Sequence, residues 1–197
     1  MAYDALAESV RLIENGVPAW VASRVSRRIR HIPLAVDVDG PIAAAMFLRR
    51  GQGQVLYENH VLVRRHGSWR VEGGGGGTGG EDAARDAPGH EDLGGYLDVG
   101  GSGAVHLGSA DPALPRIVRY AALRAAREVR TVLIAEREVL VPRHGWLIAV
   151  WPDRRTPHLT ALDEAGAVLA ATDVSAWPGM SPRIRLLPAI YTDGVHD

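Results

Sequence analysis

"HGWLIAVWP", residues 144–152, is apolar on both faces of any strand it forms. With a period of two, Trp146, Ile148 and Val150 point one way and Leu147, Ala149 and Trp151 the other. A strand half in water alternates apolar with polar residues, so one that is apolar throughout is covered on both sides. One face can fill a sandwich core. The other has to meet the N-terminal part of the chain, a second copy, or an outside partner. Trp is favoured at the centre of such contacts because it buries a large area, which makes Trp146 and Trp151 the candidate binding residues.

The sequence around this strand has the same character. Val129, Thr131 and Leu133 alternate with Arg130, Val132 and Ile134, a polar break at 135–138 precedes Val139 and Val141, and "HLTALDEAGAVLAAT" turns around Asp163–Gly166. Residues 117–130 are rich in Ala, Leu and Arg, a content that also suits a helix; they are read as a strand with a turn. About six or seven short strands at this spacing predict an immunoglobulin-like β-sandwich over residues 104–197.

Upstream, residues 2–15 read as an amphipathic helix. Leu6, Val10 and Ile13 form its stripe, Asp4 lies near its N-terminus and Asn15-Gly16 offers a C-cap. Pro18 can open a second helix with Val21, Val25 and Ile29 on one side, ended by Ile32-Pro33. The period then becomes two: Leu34, Val36 and Val38 point one way and Asp37 the other. Asp39-Gly40 and the "RRHGSWRV" stretch are hairpin signals. Residues 1–72 are thus a helix pair on an antiparallel meander of about four strands, and the fold class is α+β, rich in β.

Between them lies "VEGGGGGTGGEDAARDAPGHEDLGGYLDVGGSGAV", residues 71–105. Its overlapping G-x-G-x-x-G matches follow from five consecutive glycines and lack the strand–helix setting of a dinucleotide site. Residues 73–103 hold 13 of the 23 glycines, six acids and one Arg. Such a composition predicts a flexible Gly/acidic linker, in which only Leu93, Tyr96, Leu97 and Val99 offer anything to dock.

Composition removes several chemistries. The chain has no Cys, so thiol nucleophiles and Cys-ligated zinc are excluded. All 22 basic residues are Arg, which removes Walker and Schiff-base lysines and fits the bias of a GC-rich genome. The net charge of -1 supplies no global field for nucleic acid or anionic lipid. No stretch reaches the ~18 consecutive apolar residues of a membrane span, and the acidic N-terminus is unlike a signal peptide. A cytoplasmic protein with neither nucleic-acid nor membrane partners is expected.

"LAVDVDGPI", residues 34–42, resembles the first motif of haloacid-dehalogenase-type phosphatases. The resemblance implies a nucleophilic Asp37, an acid/base Asp39 and a Mg²⁺ ion. Pro41 stands where the family has Thr, and no Lys follows, so an outward Asp37 with a turn Asp39 is the preferred reading. "RRHGSWRVEG" is faintly similar to the last strands of pocket-forming NTF2-like domains. The arginines of "RVSRRIRH", residues 24–31, complement a helix C-terminus or contact phosphates. Among the eight histidines no metal-spaced pair occurs, and His60 is the one placed to line a cavity. These readings lead to a non-catalytic protein, without cofactor or metal, that recognises a protein partner or self-associates through β surfaces. The alternative is a small-molecule or Mg²⁺-dependent phosphoryl site around Asp37, Asp39 and His60.

Overall fold

The computed structural model describes residues 3–80, 84–108, 111–153 and 156–174. Helix α1, Ala5–Asn15, starts where Asp4 accepts the backbone N–H groups of Leu6 and Ala7 at 3.0 and 3.1 Å. It stops where Gly16, at φ 72°, donates its N–H to the Leu12 carbonyl. Ser9 and Leu12 are its buried residues; Val10 and Ile13 of the expected stripe pack half-buried against the N-terminal sheet, while Leu6 is 41% exposed.

The second helix does not form. Ser26 Oγ accepts the N–H groups of Arg28 and Ile29 at 3.2 and 3.0 Å, and the Ser26 N–H donates to the Ile29 carbonyl. These local bonds satisfy the backbone in a turn and compete with a helix. Val21, Ala22 and Val25 still pack inward, from an irregular segment.

Four strands follow: β1 His31–Asp39, β2 Ile42–Arg50, β3 Val55–Arg65 and β4 Ser68–Gly79. They form a meander, sheet A, in the order β1-β2-β3-β4. His66 and Gly67, at φ 51° and 81°, make the two-residue β3–β4 turn, the left-handed pair that matches strand twist. A bulge between Pro33 and Ala35 sends Leu34 and Ala35 to one side while Val36 and Val38 face α1. The grouping of Leu34 with Val36 and Val38 fails for that reason.

The expected linker, residues 73–103, begins as strand. Gly73–Gly79 pairs with Val61–Val55 as the second half of β4. Close approach is what glycine supplies here. A Cβ at Gly74 or Gly76 would strike the Asn59 or Tyr57 carbonyl, one at Gly75 would strike the Tyr120 hydroxyl, and one at Gly103 would lie 2.6 Å from the Tyr120 ring.

The chain continues with α2 His90–Leu93, β5 Leu97–His106, β6 Ile117–Ala125, β7 Thr131–Ile134, β8 Arg137–Leu140, β9 Trp146–Pro152, β10 His158–Leu162 and β11 Val168–Asp173. Residues 117–125 are therefore strand. Sheet B has the order β5-β6-β9 and sheet C the order β11-β10-β7-β8, with antiparallel pairing throughout.

The three sheets stack. Ile32, Leu34, Met46, Leu48 and Val63 of sheet A share one core with Val118, Tyr120, Ile148 and Val150 of sheet B. The opposite face of sheet B contributes Leu123, Leu147, Ala149 and Trp151 to a second core with Val132, Ile134, Leu159 and Ala161 of sheet C. A third, smaller cluster joins Leu12 of α1 to Ala43, Ala45, Phe47 and Leu62 on the outer face of sheet A. The order of layers is α1, sheet A, sheet B, sheet C. Strand β9, apolar on both faces, lies in the middle layer. The molecule is thus rich in β, antiparallel, and carries its one long described helix on an outer sheet. No described helix is long and apolar enough to cross a membrane.

Candidate functional site

Asp37 lies on the inner face of sheet A, 5% exposed, where edge strand β1 meets edge strand β9. Its Oδ2 accepts the Val150 N–H at 2.8 Å. Arg137, from the edge strand of sheet C, donates Nε to Oδ1 at 3.0 Å and Nη2 to Oδ2 at 2.7 Å. The same Nη2 donates to the Val150 carbonyl at 2.9 Å, and Nη1 is 3.1 Å from Asp39. One carboxylate and one guanidinium therefore satisfy both backbone groups of Val150 on the free edge of β9, and they tie three sheets at one point. Burial pushes the Asp37 carboxyl above its ordinary value, against the downward pull of Arg137 and the Val150 N–H. Both aspartates of the phosphatase-like motif are engaged by Arg137. Among the described residues, no group of three or more His, Asp or Glu side chains is placed to hold a metal ion.

His60 lies on the other face of sheet A. Val36, Ala45 and His60 are cross-strand partners on the α1 side, whereas Asp37, Ala44 and Val61 form the neighbouring row on the inner side. The structure does not bring His60 together with Asp37 and Asp39. Instead, His60 Nδ1 lies 2.8 Å from Ser9 Oγ, and its Nε2 is 3.4 Å from Glu58, which in turn pairs with Arg49 at 2.6 Å. Tyr3 packs 5.1 Å from His31 and 6.2 Å from His60, and burial raises its pKa. Hydroxyl, imidazole and carboxylate stand in the order of a hydrolase relay, but Ser9 is fully buried beneath α1 and His60 is 6% exposed. In this arrangement the cluster pins α1 to the sheet.

The two candidate binding residues part company. Trp151 is 3% exposed in the core between sheets B and C. Trp146 is half-buried at the rim of the A/B core. Its ring lies 4.8 Å from Tyr57, with the Arg124 guanidinium 4.6 Å above it. Both apolar faces of β9 find cover within the chain.

Two features escaped the sequence reading. The first is the outer face of sheet C. Its register aligns Leu140, Thr131, Leu162 and Val168 in one row across all four strands, with Glu138, Leu133, Thr160 and Ala171 in the next. Leu140 is 65% and Val168 58% exposed, Thr131 between Leu140 and Leu162 is buried, and Glu138 is the one acidic or basic side chain in those two rows. The signal was present in "REVL" and "VLAAT", where apolar residues occupy the solvent phase of the alternation. The second is a cleft of about 560 Å³ bounded by Pro18–Ser23, Ala84–Asp86 and Pro142–His144. Its walls come from three irregular segments far apart in sequence, and no periodicity announces it. No known protein family, no curated protein and no solved structure matches this chain.

Proposed function

We propose that the protein is a non-catalytic interaction protein that binds another protein chain, a second copy or a different partner, through a β surface. The observation that supports this is the outer face of sheet C: four aligned strands whose outward rows carry the exposed Leu140 and Val168 and the half-buried Leu133 and Leu162, with Glu138 and the His158–Asp173 pair at their margin. Exposed apolar side chains such as Leu140 and Val168 on one sheet face favour contact with another surface, since covering them releases water. The anchoring role passes from Trp151, which sheet C itself buries, to these side chains. An immunoglobulin-like reading extends to sheets B and C, and rests on short antiparallel strands facing across one core. The test is light scattering over a range of concentrations, with pull-down from the native host, for the parent and for Leu140→Glu/Val168→Glu. The parent is expected to associate or retain a partner and the variant to do neither, with its fold intact because both sites are exposed. A parent that stays monomeric and retains nothing would overturn the proposal.

A further inference from the structure

We propose that the irregular segment 20–30, together with Arg50, is a contact site for the surface of an anionic lipid bilayer. The site goes beyond the interaction reading and does not depend on it. Ser26 turns the chain here. Its hydroxyl accepts the N–H groups of Arg28 and Ile29, and its own N–H donates to the Ile29 carbonyl at 2.7 Å. The turn leaves Arg27, Arg28, Ile29 and Arg30 as a run of four exposed residues. The Arg50 N–H donates to the Arg30 carbonyl at 2.9 Å, so the end of β2 brings another exposed arginine to the same place. Arg24 is exposed as well, and among the described residues no carboxylate forms an ion pair with any of these five arginines.

Charge and shape narrow the class of partner. No acid occurs between Glu14 and Asp37, or between Arg50 and Glu58. Asp86, across the cleft from Pro18–Ser23, is held by Arg143. Glu81 and Asp82 adjoin Ala84 outside the described residues; counted together with Glu14 they still leave the five arginines in excess. The net charge of -1 thus hides a local positive field, which acts over about one Debye length, ~8 Å in physiological salt. Two features select a bilayer among polyanions. The five arginines line none of the clefts of about 560, 790 and 1120 Å³. A nucleic-acid strand is tracked by a basic groove, whereas a membrane meets side chains that stand outside grooves. The segment also leaves apolar groups in water, with Trp20 75% and Ile29 41% exposed. Phosphates alone would account for the arginines and leave Ile29 uncovered. The boundary between headgroups and acyl chains takes both kinds of side chain, and an indole is favoured at that depth.

The test is flotation of the full chain with vesicles of phosphatidylcholine alone and of phosphatidylcholine mixed with phosphatidylglycerol, at low and high salt. A single-stranded oligonucleotide is titrated in parallel. The parent is expected to float with the phosphatidylglycerol vesicles only, and to be released by salt. Arg27→Gln/Arg28→Gln is expected to weaken binding about 25-fold, at about fivefold for each arginine. Arg24→Gln/Arg50→Gln, outside the turn, is expected to do the same, so the result does not hang on the Ser26 turn surviving one substitution. Trp20→Ser is expected to weaken binding roughly fivefold. All five positions are exposed, and an unchanged melting curve shows that the fold is kept. Four outcomes would overturn the proposal. These are no flotation with phosphatidylglycerol vesicles, equal flotation with phosphatidylcholine alone, vesicle binding unchanged in both arginine variants or in Trp20→Ser, and tighter binding to the oligonucleotide than to the vesicles.

Discussion

Asp37 shows how a chemically suggestive residue is used as a joint. Its carboxylate is buried, which disfavours charge, but it is held by the Arg137 fork and the Val150 N–H. Breaking such a pair strands an ion, whereas replacing both partners by apolar groups removes the desolvation cost with the attraction. Asp37→Ala and Arg137→Met are each expected to lose about 3 kcal/mol in urea unfolding, and the double variant clearly less than the sum. Additive losses would show that the two side chains act independently. His144 gives a pH signature. Its folded pKa, lowered to about 4 from 6.5, means that protonation is harder in the folded state. Its stabilising contribution is therefore full above pH 6.5, falls as pH drops through the window to 4, and levels off below. The loss is on the order of 3 kcal/mol, and the difference between parent and His144→Gln stability curves isolates it. Parallel curves would mean that His144 titrates normally.

At the scale of elements, the strands and hairpins were legible because their causes are local. Period-two alternation placed β1, β7 and β9, the hairpin signal around Asp163–Gly166 placed β10, and Asp39-Gly40 and His66-Gly67 marked turns that the structure contains. Failures came where a competing local turn, a bulge or distant contacts decide. Val21, Val25 and Ile29 have helical spacing, but the Ser26 turn takes the backbone bonds a helix would need. The bulge at Leu34 could not be read from letters that keep a strict alternation. The glycine run looks entropically mobile by composition, and the residues that make it a strand, Tyr57, Asn59 and Tyr120, lie on β3 and β6. Of the candidate site, the apolar residues were visible but not their alignment across four strands. The glycines separate into two kinds. Gly103→Ala, which drives a Cβ into the Tyr120 ring, is expected to cost about 2 kcal/mol in thermal or urea unfolding. Gly77→Ala and Gly101→Ala, where nothing lies within 4 Å, are expected to be neutral or stabilising by about 0.5 kcal/mol. Equal costs at all three sites would mean that Tyr120 does not fill the gap between β4 and β5.

At the scale of the molecule, sheet B is the shared layer: one face completes the core of the N-terminal sheet and the other the core of sheet C. Strand β9 belongs to both cores, and Asp37 and Arg137 close the seam along its edge. Asp37, Ser9 and His60, the polar groups able to do chemistry, lie inside these joints, and the contact surface proposed above is the outer face of sheet C. The central claim is that residues on either side of 73–103 form one cooperative body, rather than two modules joined by a tether. Scanning calorimetry of the full chain tests it most directly. A shared core melts in a single transition whose calorimetric and van't Hoff enthalpies agree, and that is the expected result. Two resolved transitions, or a fragment beginning at residue 104 that melts by itself at the temperature of the parent, would contradict it.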